Sequence, residues 1–192
     1  DEKMNPIRLF RKQFPFIAFL FLLQFSFGQY AVEFDGINDY IDICSDQSLN
    51  FSTEMSMTTW IRQNSEEGCL ISKWSYPHNI HSWAIWLTND GQPYFEISTD
   101  GSIPTIFGVY SDLIINEGDF HHIAVVFNSG IVDFYVDGVR ETKPIGGNII
   151  QQSDSPTNFG ARRQINGDFG HIDGMMDEVT LWNRALSVEE VQ

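Results

Sequence analysis

Hydrophobic and polar residues alternate in short runs along most of the chain. From Gln29 onward, apolar residues recur at every second position, and residues typical of turns separate the runs. A sustained helical period does not occur before the last few residues. Because alternation is typical of strands with one buried face, the chain is predicted to be all-β. The predicted strands span residues 30–34, 40–43, 55–62, 69–74, 83–87, 94–98, 105–110, 121–127, 132–136 and 174–182.

Three of the predicted connections have the composition of tight hairpin turns. They are Asn89-Asp90-Gly91, Asn128-Ser129-Gly130 and Asp137-Gly138, in which glycine adopts positive φ at little steric cost. The strands are expected to stack as two antiparallel sheets, because this many short strands in one flat sheet would leave long exposed edges. The predicted fold is a two-sheet antiparallel β-sandwich of the jelly-roll kind.

The two ends of the chain have different signals. A basic segment at residues 8–12 precedes an uncharged apolar run at residues 14–27, which is the pattern of a secretory signal peptide over residues 4–28. The apolar run is shorter than the about 20 residues that span a bilayer, so no membrane insertion is expected after cleavage. The alternative is a buried core helix. At the other end, residues 187–190 match a capping box, which predicts a helix that continues past Gln192.

The charge of the chain limits its partners. The 192 residues include 11 Lys and Arg against 26 Asp and Glu, a formal net charge of -15. Residues 29–192, the single predicted domain, keep 7 basic and 24 acidic residues and are more acidic still. Such a field repels nucleic acid and anionic lipid, so nucleic-acid binding is not expected.

Cys44 and Cys69 are the two cysteines of the chain. In a protein bound for an oxidising compartment, they could form one disulfide. The alternative is two buried thiols on neighbouring strands. The sequence leaves both interpretations open.

Motifs at fixed spacing extend over nearly all of the predicted domain. They are VEFDGINDYI at residues 32–41, MSMTTWIR at 55–62, ISK at 71–73, GDFHHIA at 118–124, FYVDG at 134–138, GMMDEV at 174–179 and WNRALS at 182–187. In this order they resemble the laminin G-like jelly rolls of the concanavalin A-like lectin and glucanase superfamily. Phe120 and Met176 depart from that pattern, where the family has Trp and Ile, and both changes keep an apolar side chain. The resemblance implies a concanavalin A-like jelly roll, a fold that hosts enzymes, lectins and adhesion modules.

Catalysis by this domain is not expected. The glucanases that the chain resembles use two carboxylates on one strand that both face the cleft, and their Glu-x-Asp-x-x-Glu run does not occur here. Asp173, Asp177 and Glu178 come nearest to it. Asp177 and Glu178 are adjacent, however, and so point to opposite faces of a strand.

A structural calcium ion is expected from the resemblance. Related jelly rolls often link the start of the first strand to the last strand through calcium, and Asp35, the Gly36 carbonyl and Asp177 match those places. The alternative is that Asp35-Gly36 makes a turn and Asp177 binds backbone. His121 and His122 alternate faces and are not expected to hold one zinc ion.

The aromatic stretch at residues 74–87 is the strongest candidate for ligand contact, because sugars stack their apolar C–H faces on aromatic rings. In its strand, Trp83, Ile85 and Leu87 share a face that is predicted to be core, which leaves Trp86 facing outward. Trp74, Tyr76 and Trp86 are the predicted ligand-binding residues. Ordinary packing is the alternative for all three.

The sequence thus predicts a secreted or cell-surface, non-catalytic recognition module within a larger extracellular protein. Its favoured partner is a glycan. One alternative is a protein-adhesion or structural module without a sugar site, which would bind an extracellular protein. Another is an accessory domain of a glycoside hydrolase.

Overall fold

The computed structural model describes residues 30–65, 67–75, 81–162 and 169–192. The predicted signal peptide, residues 4–28, lies outside the described residues. The strands are β1 (Val32–Asp35), β2 (Ile41–Asp42), β3 (Glu54–Ser65), β4 (Gly68–Lys73), β5 (Trp83–Leu87), β6 (Pro93–Ser98), β7 (Ile106–Tyr110), β8 (His121–Asn128), β9 (Ile131–Val136), β10 (Val139–Pro144), β11 (Thr157–Phe159) and β12 (Asp173–Trp182). Two 3₁₀ turns (Gln47–Leu49 and Ile103–Thr105) and one short helix, α1 (Val188–Val191), complete the described elements.

The strands form two six-stranded antiparallel sheets. Sheet I has the order β1-β12-β3-β8-β9-β10, and sheet II has the order β2-β11-β4-β5-β6-β7. This arrangement confirms the predicted all-β sandwich. The alternation pattern did not reveal β10 and β11. β10 lies at the edge of sheet I with a mostly polar sequence, VRETKP, and β11 has only three residues.

The core lies between the two sheets and follows the alternation of side chains. In β5, Trp83, Ile85 and Leu87 point inward and are fully buried. Across the interface, Phe127 of β8 contacts Phe95 of β6 with ring centroids 5.9 Å apart. Burial of large apolar side chains contributes about 1.5 to 3 kcal/mol each, so this double layer is the main source of stability.

Two hairpin turns fix the register of the last strands of sheet I. Ser129 and Gly130 have φ of 47° and 95°, and Asp137 and Gly138 have φ of 49° and 79°. Positive φ at both central residues is the type I′ geometry, whose twist matches that of the paired strands. Both turns therefore lie where the sequence predicts hairpin tips.

Helix α1 covers part of the outer face of sheet I. Leu186 and Val191 pack there against Ala124, Val126 and Tyr135. The Glu190 carboxylate accepts a hydrogen bond from the Ser187 backbone N–H at 2.9 Å, one half of the predicted capping box. Within the described parts of the chain, no helix has the length and apolarity to cross a bilayer.

Of the two interpretations that the sequence leaves open for Cys44 and Cys69, the disulfide does not form in the structure, because both thiols are free. Strand β11 lies between β2 and β4, so two strand spacings of about 4.8 Å separate the strands nearest the two residues. Ile41 and Ile71 both pair with Phe159. Cys44 therefore lies about five residues farther along the strand direction than Cys69. Bridged cysteines need Cα atoms within about 7 Å. Cys69 is buried, and burial raises the pKa of its thiol, whereas Cys44 is exposed.

We expect a reducing agent to leave the melting temperature unchanged, because both thiols are free. A disulfide closing this loop would contribute about 3 to 4 kcal/mol, and its reduction would lower the melting temperature by several degrees. A thiol-reactive dye should label one cysteine in the native protein and two after denaturation. Cys44→Ala is the matched variant and should abolish the native labelling. A melting temperature that falls with reductant would contradict the free-thiol assignment.

Candidate functional site

The outer face of sheet II carries a row of aromatic side chains on three adjacent strands. Trp86 of β5 pairs with Tyr94 of β6, which pairs with Tyr110 of β7. The rings of Tyr94 and Tyr110 stack with centroids 4.3 Å apart at an angle of 28°. Gly108 makes this arrangement possible, because a Cβ at that position would overlap the ring and hydroxyl of Tyr94. The row therefore forms a continuous aromatic surface along one register of the sheet.

Arg162 reaches over this face from the segment that follows β11. Its guanidinium carbon lies 5.1 Å from the ring centre of Trp74, 4.8 Å from that of Trp86 and 5.3 Å from that of Phe169. The backbones of Arg162 and Phe169 exchange two hydrogen bonds of 2.8 Å, which fix both residues beside the sheet. Gly170 passes directly against Trp86. Cation–π contacts of this kind stabilise by about 0.5 to 2 kcal/mol each.

Glu96 is the charge partner of Arg162. Its carboxylate accepts hydrogen bonds from Arg162 Nη1 at 2.8 Å and from the Trp86 indole at 3.0 Å. Only 7% of Glu96 is exposed, and this burial raises the pKa of its carboxyl, although the positive charge of Arg162 opposes the rise. Burial dominates because the charged carboxylate loses most of its water. The pair is thus fixed in position, although taking its two charges out of water costs free energy.

These residues surround a cavity of about 160 Å³ on the outer face of sheet II, which we call the outer groove. Its lining residues are Glu67, Trp86, Thr88, Tyr94, Glu96, Tyr110, Arg162 and Phe169. The groove combines aromatic rings with carboxylate and hydroxyl oxygens. This is the combination that a polyhydroxylated ligand requires, since its C–H faces need rings and its hydroxyls need acceptors.

The predicted ligand-binding residues take different places around the outer groove. Trp86 lines it from the outward face of β5, but only 4% of the residue is exposed. Trp74 is also buried and stacks on His81 with ring centroids 4.5 Å apart, so it contacts Arg162 rather than the cavity. Tyr76 lies outside the described residues.

Sequence reasoning missed the most accessible ring of the groove, Tyr110, which is 54% exposed. The predicted strand at residues 105–110 contained the necessary signal, since its last residue falls on the outward face. Arg162 and Phe169 had no such signal. They come from a segment distant in sequence from β5 and β6, and no local pattern links them to Trp86.

The predicted calcium ligands Asp35, Gly36 and Asp177 do not converge on one point. Asp35 pairs with Asp173 on β12, so Asp177 lies four residues farther along, about 13 Å away. The Asp35 carboxylate accepts the backbone N–H groups of residues 37 and 38, which lower its pKa. Calcium needs its ligands at about 2.3 to 2.6 Å, so this set does not fit the ion. Among the described residues, no group of three or more His, Cys, Asp or Glu is placed to hold a metal. Calcium binding itself stays a prediction.

A second cavity lies on the outer face of sheet I. Its volume is about 560 Å³, and its lining residues are Tyr30, Ala31, Trp60, Phe120, Met175 and Asp177. Trp60 is 39% exposed and contacts His122 at 5.4 Å between ring centroids. The cavity is mainly apolar, unlike the outer groove. We call it the sheet I cavity.

We expect Arg162→Gln to lower the unfolding free energy by about 2 to 3 kcal/mol at neutral pH, because the buried Glu96 carboxylate loses its cation. The pKa of Glu96 is raised by burial and should rise further in the variant. The native state then binds the proton of the Glu96 carboxyl more tightly than the unfolded chain does. The unfolding free energy therefore falls as the pH rises from the ordinary glutamate pKa through the raised pKa of Glu96. The cost of Arg162→Gln should accordingly be smaller near about pH 5 than at neutral pH.

Denaturant titrations at the two pH values measure this effect. Arg140→Gln is the matched control, because it removes an exposed ion pair with Asp133 and should cost under about 1 kcal/mol at either pH. An Arg162→Gln cost that is the same at both pH values would contradict the assigned role of Glu96.

Comparison with known proteins agrees with the fold. The family model Laminin_G_3, described as the concanavalin A-like lectin/glucanases superfamily, matches residues 35–192. No curated protein matches the sequence significantly. Many solved structures do match, among them two sugar complexes and a laminin fragment.

Two of these structures are sugar complexes. The CBM40 module of the Ruminococcus gnavus IT-sialidase, bound to α2,3-sialyllactose, is 14% identical with a TM-score of 0.63, and the match covers 85% of this chain and 97% of that one. Domain 4 of an extracellular GH43 arabinanase from Geobacillus stearothermophilus, in complex with arabinotriose, is 17% identical with a TM-score of 0.60. That match covers 84% of this chain and 74% of the other.

The third structure comprises domains LG4-5 of the mouse laminin α1 chain. It is 14% identical with a TM-score of 0.61, and the match covers 83% of this chain and 44% of the mouse fragment. Likeness at these identities shows the fold alone. The family match shows more than the fold, since it is a match of the sequence itself over residues 35–192, most of the chain. The motifs, the sandwich and this match together establish that the chain belongs to the concanavalin A-like lectin/glucanases superfamily as a laminin G-like domain.

Proposed function

We propose that this chain is a secreted, non-catalytic carbohydrate-binding module that holds a sugar in the outer groove. The observation that carries the proposal is the aromatic row of Trp86, Tyr94 and Tyr110 beside the buried Glu96 carboxylate. Tyr110 offers an exposed ring on which the C–H face of a sugar can stack. The Tyr94 hydroxyl and the Glu96 carboxylate, 3.5 Å apart, offer polar atoms for sugar hydroxyls.

Within this proposal, the buried aromatic residues support the site rather than contact the ligand over a large area. The Trp86 indole N–H donates to Glu96 and fixes the orientation of the carboxylate. Trp74 stacks on His81 and holds one side of Arg162. Preorganised polar groups of this kind favour binding, because fewer side chains must be ordered when the ligand arrives.

Three further observations support a secreted binding module. The signal-peptide pattern at residues 4–28 supports export. Two structures of the same fold are sugar complexes of domains from a sialidase and an extracellular arabinanase, which also fits a role as the accessory domain of a hydrolase. The Glu96 carboxylate is tied to Trp86 and Arg162, which suits binding better than proton transfer to a glycosidic oxygen.

A second candidate function is adhesion to an extracellular protein through the sheet I cavity. It is favoured by the exposed aromatic residues Trp60 and Phe120, the latter 42% exposed, in a cavity whose lining is mainly apolar. Exposed aromatic clusters are typical of protein-binding surfaces.

We expect Tyr110→Ala to weaken glycan binding at least tenfold, because the variant removes the ring on which the sugar stacks. A glycan array identifies bound oligosaccharides, and calorimetry with the best of them measures the dissociation constant. Trp60→Ala is the matched control, since it removes an exposed ring from the opposite sheet and should leave sugar affinity unchanged. Circular dichroism and melting curves check that both variants are folded.

Two results would contradict the proposal. One is equal affinity of Tyr110→Ala and the parent protein for the sugar. The other is an array without glycan binding together with a Trp60-dependent protein partner, which would favour the adhesion function instead.

A further inference from the structure

The charges of the outer groove restrict the kind of sugar that it can accept. Arg162 is the only positively charged side chain among the described residues that line the groove, while Glu67 and Glu96 are both acidic. Among these described residues, Arg162 is therefore the cation on which recognition of a ligand carboxylate would rest. Whether it can do so depends on which N–H groups of Arg162 are free.

The contacts of Arg162 limit its use for a bidentate contact. Arginine binds a carboxylate through two parallel hydrogen bonds, either from Nη1 and Nη2 or from Nε and Nη2. Nη1 already donates one of its two N–H groups to Glu96 at 2.8 Å. Nε is buried, so a ligand cannot reach it. The arrangement through Nε is thus blocked, and the arrangement through Nη1 and Nη2 has to share Nη1 with Glu96.

The rings around Arg162 also keep the guanidinium where it is. Trp74, Trp86 and Phe169 lie 4.8 to 5.3 Å from its central carbon. To turn toward a ligand, Arg162 would have to leave these contacts and expose a buried Glu96 carboxylate without its partner. Breaking a buried ion pair in this way is strongly unfavourable.

Among the described residues that line the groove, the charge other than that of Arg162 is negative. Glu96 neutralises Arg162, and Glu67 is exposed and adds a further carboxylate at the rim. The whole chain adds to this field with a net charge of -15. A negative ligand is repelled by such a surface, most strongly at low ionic strength.

We propose that the outer groove binds an uncharged glycan and excludes sugars that carry a carboxylate, such as sialic acids and uronic acids. This inference rests on the proposed function. Sugar hydroxyls donate to the oxygens of Glu96 and Glu67, and the C–H face of one sugar residue stacks on Tyr110. The cavity of about 160 Å³ has room for a single sugar residue. The Ruminococcus gnavus module, which shares the fold, is bound to the acidic sialyllactose, so the two domains would differ in charge preference.

The test uses sugar pairs in which one member carries carboxylate and the other does not. Lactose is compared with α2,3-sialyllactose, and galactotriose with trigalacturonate, alongside arabinotriose, by calorimetry with the full exported domain. We expect the neutral member of at least one pair to bind and its acidic partner to bind at least tenfold more weakly. The difference should shrink at high salt, because part of it arises from screened charge.

Glu67→Gln should also reduce the difference, because it removes the carboxylate at the rim. Glu117→Gln is the matched control, since it makes the same change of charge at an exposed residue that does not line the groove and should leave the difference unchanged. Equal or tighter binding of the acidic member, abolished by Tyr110→Ala, would overturn the charge preference and leave the sugar-binding function standing. Binding of no glycan in the panel or on the array would overturn both.

Discussion

The interaction on which the site depends is the burial of both faces of strand β5. Every residue from Trp83 to Leu87 is buried. The inward side chains belong to the core, and the outward ones, Ala84 and Trp86, form a second apolar cluster with Cys69 and Trp74. Since alternate residues of one strand serve both layers, the aromatic row of the outer groove is anchored directly on the core. The position of Trp86 is then set by the same register that places Trp83 and Ile85.

The Glu96–Arg162 pair shows how that anchoring affects chemistry. A carboxylate on the outer face of a sheet is ordinarily in water, where its attraction for a nearby arginine is weak. Here the rings of Trp74, Trp86 and Phe169 remove the water and hold the arginine over the sheet. Taking two charges out of water costs free energy that their attraction only partly offsets. Removing one partner alone is destabilising, but the intact pair contributes little compared with apolar residues of similar volume. Its role is therefore to fix orientation, since it defines which polar atoms of the groove remain available.

The alternation of side chains allowed the fold, the core residues of β5 and the outward direction of Trp86 to be predicted. It could not show that Trp86 is covered, because the covering residues Arg162 and Phe169 come from a distant segment. The prediction of calcium ligands depended in the same way on residues from distant segments. Asp35 and Asp177 match motifs at the two ends of the domain, but the pairing of Asp35 with Asp173 depends on a register that no sequence pattern specifies. Local periodicity therefore predicts which face of a strand a side chain occupies. Its neighbours on other strands are seen only in the assembled sheets.

The two outer faces of the sandwich illustrate why aromatic content alone does not define a ligand. Trp60 and Phe120 at the sheet I cavity are 39% and 42% exposed, yet the lining of their cavity is mainly apolar. Tyr94 and Tyr110 on sheet II stand beside a buried carboxylate and a committed arginine. A sugar presents hydroxyls around its edge as well as an apolar face, so it needs polar atoms at fixed positions next to the ring. Sheet II supplies these atoms because Tyr94 and Glu96 lie two residues apart on one strand and so share its outer face, and this favours the outer groove as the sugar site.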